Sequence, residues 1–229
     1  LTSVQVLVGD CRRTLQDLED CSVQCCVTTA PRWARGSDLP EGHPDRACDL
    51  GLIASPYTYL VELVRILRQV RRVLTHDGTL WLRVRDVYRP KGLCDIRGLF
   101  GFPWRAAIAL QADRWSLQAD LSAEDLDRSA DSDAGWLIPP RDHVLLFSKT
   151  ERYYCNAGAL SHVPHPMCSA GSAIRAGSRP GDTVLDPFGG DGLTACSARF
   201  WDRESVTCEL NPERASALRE TLEPIERTP

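Results

Sequence analysis

No stretch of the sequence approaches the ~20 consecutive apolar residues of a membrane-spanning helix, so an integral helical membrane protein is not expected. The first residues, LTSVQVLVGD, lack the basic segment of a signal peptide and turn polar after eight positions. They read as a strand, and a cytoplasmic protein (nuclear in a eukaryote) is the expectation. There is no Cys-x-x-Cys. Ten cysteines lie scattered through a chain of domain size, with Cys25 and Cys26 adjacent, which favours reduced thiols over a disulfide framework. The histidine pair His162 and His165 has no cysteine pair beside it, so no metal site is expected. Internal repeats are absent. A large net charge is absent too, and a value of -4 argues against indiscriminate binding to nucleic acid.

What is present fits one soluble domain. A chain of 229 residues that is 43% hydrophobic and 25% charged is long enough to bury roughly 70% of its unfolded surface. Its charge is segregated. Arg65 to Arg105 holds ten Arg or Lys against three Asp, a net +7, while residues 106–140 hold seven acidic residues against two Arg, a net -5. Solvated surface accounts for both, and a DNA-facing basic surface over Arg65–Arg105 is the functional alternative.

Along the chain, VQVLV (4–8) closes at Gly9-Asp10, CRRTLQDLED follows as a helix, and Val23–Thr29 is a second strand stopped at Pro31. Apolar residues at helical spacing over 57–74 predict an amphipathic helix, ended by a THDG turn before a strand at 79–84. WRAAIALQAD (104–113) suits a helix, and the acidic stretch that follows to Ala134 reads as a loop. HVLLFS (143–148) is a strand, and Met167–Ala176 is a helix capped at Gly177. DTVLDPF, SVTCEL and a helix from Pro212 close a β-α-β-α series. Alternation of this kind implies an α/β fold with a mostly parallel twisted sheet covered on both faces.

The stretch VLDPFGGDGLTA (184–195) turns from a strand into a helix through Gly189, Gly190 and Gly192. Such a turn lets backbone amides approach a ligand that a Cβ would hold away. Glu209 ends the next strand 23 residues after Asp186, a spacing suited to a carboxylate that accepts hydrogen bonds from a ribose. A nucleoside-bearing cofactor follows.

VLDPFGGDGLTA followed by CELNPERA resembles the cofactor motif of the β-type, permuted, amino-methylating DNA methyltransferases, which act on cytosine N4 or adenine N6. VGDCRRTLQDLEDCSVQCCVTTAPRW, RQVRRVLTHDGTLWLRVRDVY, LFGFPWRAAIALQAD, HVLLFSKTERYY and AIRAGSRPGDTVLDPFGG follow in that family's order and extend the resemblance over most of the chain. It implies a Rossmann-like class I methyltransferase fold as a single domain, permuted so that the catalytic half precedes the cofactor loop. The implied cofactor is S-adenosylmethionine. Asp186, Phe188, Gly190 and Gly192 would line its methionine and ribose end, Glu209 would take the ribose, and Asp10 would approach the adenine amino group.

The resemblance also places the target. That family accepts the amine hydrogens with the side chain and a backbone carbonyl of Ser-Pro-Pro-Tyr or Asp-Pro-Pro-Tyr, and stacks the aromatic on a base flipped out of the duplex. The corresponding residues here are Thr29, Ala30, Pro31 and Arg32, followed by Trp33. Thr29 keeps a hydroxyl, nearer to the serine form associated with cytosine N4. Arg32 replaces the aromatic, and Trp33 is a candidate to compensate. The family's Trp-x-Lys-Pro-Asn segment is replaced by SAEDLDRSADSDAG, so the variable recognition region at about 113–140 is reduced and acidic. Three readings stay open: a DNA amino-methyltransferase with cytosine N4 favoured, a binding or regulatory subunit on the same fold, and a methyltransferase for a small amine or free nucleobase. A dimer or a partner subunit is also open.

Overall fold

The structure, a computed structural model, describes residues 2–88, 98–122, 142–160 and 168–222. His162 and His165, and the acidic stretch from residue 123 to 140, lie outside the described residues. Seven strands form one sheet in the order β1-β7-β6-β2-β3-β5-β4. These are β1 (Val4–Val8), β2 (Val23–Thr29), β3 (Leu74–Arg85), β4 (Ser116–Ser122), β5 (Asp142–Ser148), β6 (Thr183–Asp186) and β7 (Glu204–Glu209). The first five in spatial order run parallel, β5 is antiparallel to β3, and β4 is antiparallel to β5. Among the described residues no helix is long and apolar enough to cross a membrane.

Alternation along the strands sorts the core into two layers. Cys26, Leu80, Leu82, Leu145, Phe147 and Leu185 point to one face, where they meet α2 (Pro56–Val73) and α3 (Phe102–Ala112). Cys25, Val27, Trp81, Leu146 and Val184 point to the other, under α4 (Cys168–Gly177) and α5 (Leu193–Phe200). The terminal helix α6 (Pro212–Leu222) packs Ala215, Leu218 and Leu222 with Val6 of β1. Helix α2 forms because Ser55 caps it through the Thr58 amide, Pro56 starts it, and Tyr59, Leu63, Ile66, Leu67 and Val70 recur on one face. Leu63 is fully buried, and its truncation to alanine should cost ~2–5 kcal/mol.

Three expectations shift. The segment after Asp10 is a short helix, α1 (Cys11–Thr14), followed by a 3₁₀ turn at Leu15–Asp17, because only Cys11 and Leu15 find a core to bury against. THDG does not separate helix from strand: β3 begins at Leu74, and its register to β2 jumps from Val23–Leu74 to Cys25–Thr79, so these residues form a bulge. Part of the stretch taken for a loop is strand β4, which pairs along β5. Its neighbour Trp115 is buried against Phe147, a tertiary contact that periodicity alone does not reveal.

Strand β6 lies between β7 and β2. The connection after β6 leads through α5 to β7 on one side, and that after β2 leads through α2 to β3 on the other. The two loops therefore part at the carboxyl ends of β6 and β2 and leave a crevice there.

Candidate functional site

A cavity of about 690 Å³ fills that crevice, bounded by the loops after β1, β2, β6 and β7. Asp186 ends β6 almost fully buried. Its Oδ1 accepts from the Thr28 hydroxyl at 2.5 Å and from the Phe188 amide at 3.0 Å. Burial pushes its carboxyl above the usual carboxylate range, and these hydrogen bonds oppose the rise. The glycine turn has no room for a side chain at Gly189 or Gly192. A Cβ at Gly189 would lie 2.3 Å from Thr207 Cγ2 and 3.0 Å from the Cys208 carbonyl oxygen, and one at Gly192 would lie 2.3 Å from Leu218 Cδ2. Gly190 and Gly192 also adopt φ of +53° and +75°.

Glu209 ends β7 and joins two loops. One carboxylate oxygen accepts from the Gly190 amide at 2.9 Å and the other from the Asn211 amide at 2.8 Å. Burial raises its carboxyl too, against the pull of those amides. Two amides leave further lone pairs on this carboxylate, so it can also accept from hydroxyls in the cavity. The Gly9 amide donates to the Glu209 carbonyl at 2.8 Å, which brings Asp10 to the same rim. Asp10 caps α1 through the Arg12 amide at 3.0 Å and holds Arg12 Nε with both oxygens at 2.9 Å. Arg12 in turn donates to Glu62 at 2.8 Å and to the Cys48 carbonyl at 2.7 Å. Asp10 therefore reaches the cavity as one member of a fixed ion-pair network. A buried carboxylate, a glycine cradle and a strand-end Glu suit a nucleoside-bearing group.

The opposite wall is the loop after β2. Thr29 is exposed and pairs with Arg83 of β3 in register, and the Ala30 amide donates to the Arg83 carbonyl at 2.9 Å. Tyr59 of α2 donates its hydroxyl to the Pro31 carbonyl. Arg32 points outward, and Trp33 points in. Trp33 is 8% exposed, donates Nε1 to the Ile53 carbonyl at 2.7 Å and stacks on Phe100 at 6.3 Å. It is a core residue and offers no platform to a base, which corrects the expectation that it compensates for Arg32. Thr29, Ala30, Pro31 and Arg32 line the same cavity as Asp10, Asp186, Phe188, Gly190 and Glu209. Gly192 does not line it. It starts α5 behind the loop and is held by packing on Leu218.

Among the described residues the arginines between Arg65 and Arg105 do not form one surface, and Arg89, Lys91 and Arg97 lie outside those residues. Arg68 pairs with Asp113, Arg72 with Asp20, and Arg71 donates to the Lys149 carbonyl, all near the start of β3. Arg83 and Arg85 sit at the far end of that strand and pair with Asp142. Arg105 covers Phe100 at 4.7 Å. Periodicity along one segment could not show that a 12-residue strand separates its charges. Other residues that the sequence reading missed are Thr28, Arg12, Asp142 and the pair Arg214–Asp38 (2.9 Å), which spans the cavity mouth from α6 to the loop after β2. The run Arg83-Val84-Arg85, with both arginines on one face of a strand, was the available signal for Asp142.

A family model described as DNA methylase matches residues 163–220. The Type II methyltransferase M.SmaI of Serratia marcescens is 30% identical over 97% of this chain and 91% of its own length. M.Cfr9I of Citrobacter freundii, also a Type II methyltransferase, is 31% identical over 93% and 85%. Two solved structures share the fold. The PvuII DNA methyltransferase, specific for cytosine N4, superimposes with a TM-score of 0.77 at 17% identity, covering 99% of this chain and 89% of its own. TTHA0409 of Thermus thermophilus, a candidate DNA modification methylase solved with S-adenosylmethionine, gives 0.71 at 24% identity, covering 95% and 93%. Sheet order and crevice thus place the chain in the Rossmann-like α/β fold of these two structures. Within that fold, the chain belongs to the amino-methylating DNA methyltransferase family.

Proposed function

We propose that this chain methylates the exocyclic amine of a DNA base with S-adenosylmethionine as cofactor, and that cytosine N4 is preferred to adenine N6. The carrying observation is that the Asp186–Gly190 loop and the Thr29–Arg32 loop open into one cavity. When bound, the cofactor supplies an electrophilic methyl group. The chain would supply placement: Asp186, Phe188 and the Gly189–Gly190 backbone would hold its methionine end, Glu209 would take the ribose hydroxyls, and Asp10 would close the adenine end.

An exocyclic amine is a poor nucleophile because its lone pair is delocalised into the ring. Hydrogen bonds that favour a more tetrahedral nitrogen lower the barrier. The Thr29 hydroxyl and the Ala30 carbonyl, both lining the cavity, would accept the amine hydrogens. The Ala30 amide is fixed to β3 and the Pro31 carbonyl to Tyr59, so these acceptors stand on a rigid loop. A hydroxyl at this position, in place of a carboxylate, supports the cytosine preference. Arg32 offers a planar guanidinium whose face can stack on the base.

The test is transfer of labelled methyl to single- and double-stranded DNA, followed by digestion and chromatography of the nucleosides. N4-methyldeoxycytidine is the expected product. Methyladenine alone would overturn the preference. Cofactor binding without transfer to any DNA would favour the second reading, a binding or regulatory subunit, which Arg32 in place of an aromatic motivates.

A further inference from the structure

The face of the sheet under α4 and α5 changes character at its carboxyl end. On β3 it carries Trp81, then Arg83 and Arg85, and on β5 it runs back from Leu146 through Val144 to Asp142. Arg83 Nε lies 3.0 Å and Arg85 Nε 3.6 Å from Asp142, which is buried. Arg32 and Arg35 come from the loop after β2. Arg32, Arg35 and Arg83 line the cavity, and Arg32 and Arg85 line the small pocket beside it. Among the described residues the ion pairs of these four guanidinium groups go to two carboxylates, Asp142 and Asp38, the latter 3.7 Å from Arg35 and already paired with Arg214. Arg32 has no hydrogen bond or ion pair among the described residues. Burial and the charges of Arg85, Arg35 and Arg83 work against its protonated form, while Asp142 partly offsets them.

Like charges gathered with too few counter-charges destabilise a fold unless an anion joins them. Guanidinium groups match phosphate oxygens with paired N–H donors, and their planar faces remain free to stack. We infer that Arg32, Arg83 and Arg85, with Asp142 fixing the latter two, form a binding site for a phosphate of the nucleotide whose base enters the cavity. The inference rests on the proposed function for the base and adds what is recognised beside it: a phosphorylated nucleotide, not a bare nucleobase or small amine. Arg32 stacks by its face and donates by its edge. Asp142 is a positioning residue, since among the described residues its carboxylate pairs only with Arg83 and Arg85.

The test compares deoxycytidine with its 5′-monophosphate by calorimetry on the cofactor-loaded protein. The monophosphate should bind roughly tenfold tighter or better, as expected for charge-assisted hydrogen bonds. The gap should close in Arg32→Ala and Arg85→Ala, whose folding is checked by thermal melting. Arg32→Ala removes no partner, so it keeps the test valid if Arg85→Ala fails to fold. Asp142→Asn should shrink the gap and Arg85→Lys restore part of it, which a merely structural role would not do. Equal binding of the two ligands, or a gap that persists in both alanine variants, overturns the site.

A single-stranded oligonucleotide identifies the phosphate's source. If the strand supplies it, the slope of log affinity against log salt falls by about 1 in Arg85→Ala. If the slope is unchanged while the monophosphate gap closes, a free nucleotide supplies it. Absent methyl transfer with the gap intact removes the proposed reaction and leaves the phosphate site. Transfer without the gap does the reverse.

Discussion

On the β6–β7 side of the cavity the polar groups are tied to the protein itself, whereas on the β2–β3 side those facing solvent are a hydroxyl and several arginines. Asp186 is held by Thr28 and the Phe188 amide, and Glu209 by the Gly190 and Asn211 amides. That wall is organised before any ligand arrives, which lowers the ordering cost of binding. The opposite wall has a rigid backbone and unsatisfied side chains: Thr29 and Arg32 project from a loop fixed through Ala30, Pro31 and Trp33. Under the proposed function, the first wall holds the cofactor and the second meets the base.

If this division is right, substitutions on the two walls separate cofactor affinity from turnover. The largest effect is expected from Asp186→Ala, which removes a buried carboxylate and strands the Thr28 hydroxyl. Cofactor affinity should fall by about 100-fold or more in a calorimetric titration, as two charged hydrogen bonds at ~1.5–3 kcal/mol each imply. Gly189→Ala should follow. Its Cβ meets Thr207 and the Cys208 carbonyl, so stability should drop by ~1–3 kcal/mol in urea unfolding, with a matching loss of cofactor affinity. Thr29→Ala should lower turnover roughly tenfold with cofactor affinity unchanged, in line with one lost hydrogen bond of ~1–1.5 kcal/mol. A larger change in affinity than in turnover would break the comparison.

Acidity gives a smaller, sharper test. Burial raises the Asp186 carboxyl, so the folded state binds this proton more readily than the unfolded chain does. The contribution of Asp186 to stability is then fully present below its unfolded pKa and is lost as pH rises to its folded value. Cofactor binding should run the other way, weakening as pH falls through that raised value. Melting and titration of the protein and of Asp186→Asn, between neutral and mildly acidic pH, should show both trends only in the former. The smallest effect belongs to Arg214→Ala. Loss of its partly exposed pair with Asp38 is worth ~0.2–1 kcal/mol, seen as a few-fold faster cofactor release in stopped flow.

The same contrast governs what could be read from the sequence. The shared placement of Asp186, Gly190 and Glu209 was legible because it is set by a local turn and a strand end, whose spacing is written along the chain. Strand boundaries such as Val23–Thr29 were legible for the same reason. Trp33 was misread because an aromatic in the loop after β2 has two destinations, and contacts with Ile53 and Phe100, distant in sequence, decide between them. The arginine rim was hidden because pairing of Thr29 with Arg83 brings Arg83 to the cavity that Arg32 also lines, while Arg68 and Arg83, close in sequence, are held apart by a strand. Asp142 acquires its role only from antiparallel register with Arg85.

The rigid loop around Arg32 has a consequence for change over time. Its neighbours on both sides are anchored, and its own side chain supports nothing in the fold, so position 32 is a socket into which another residue can be set without disturbing the rest. A replacement there, Arg32→Tyr above all, would exchange a charged side chain for an aromatic one at little structural cost, so one codon could redirect what the cavity accepts.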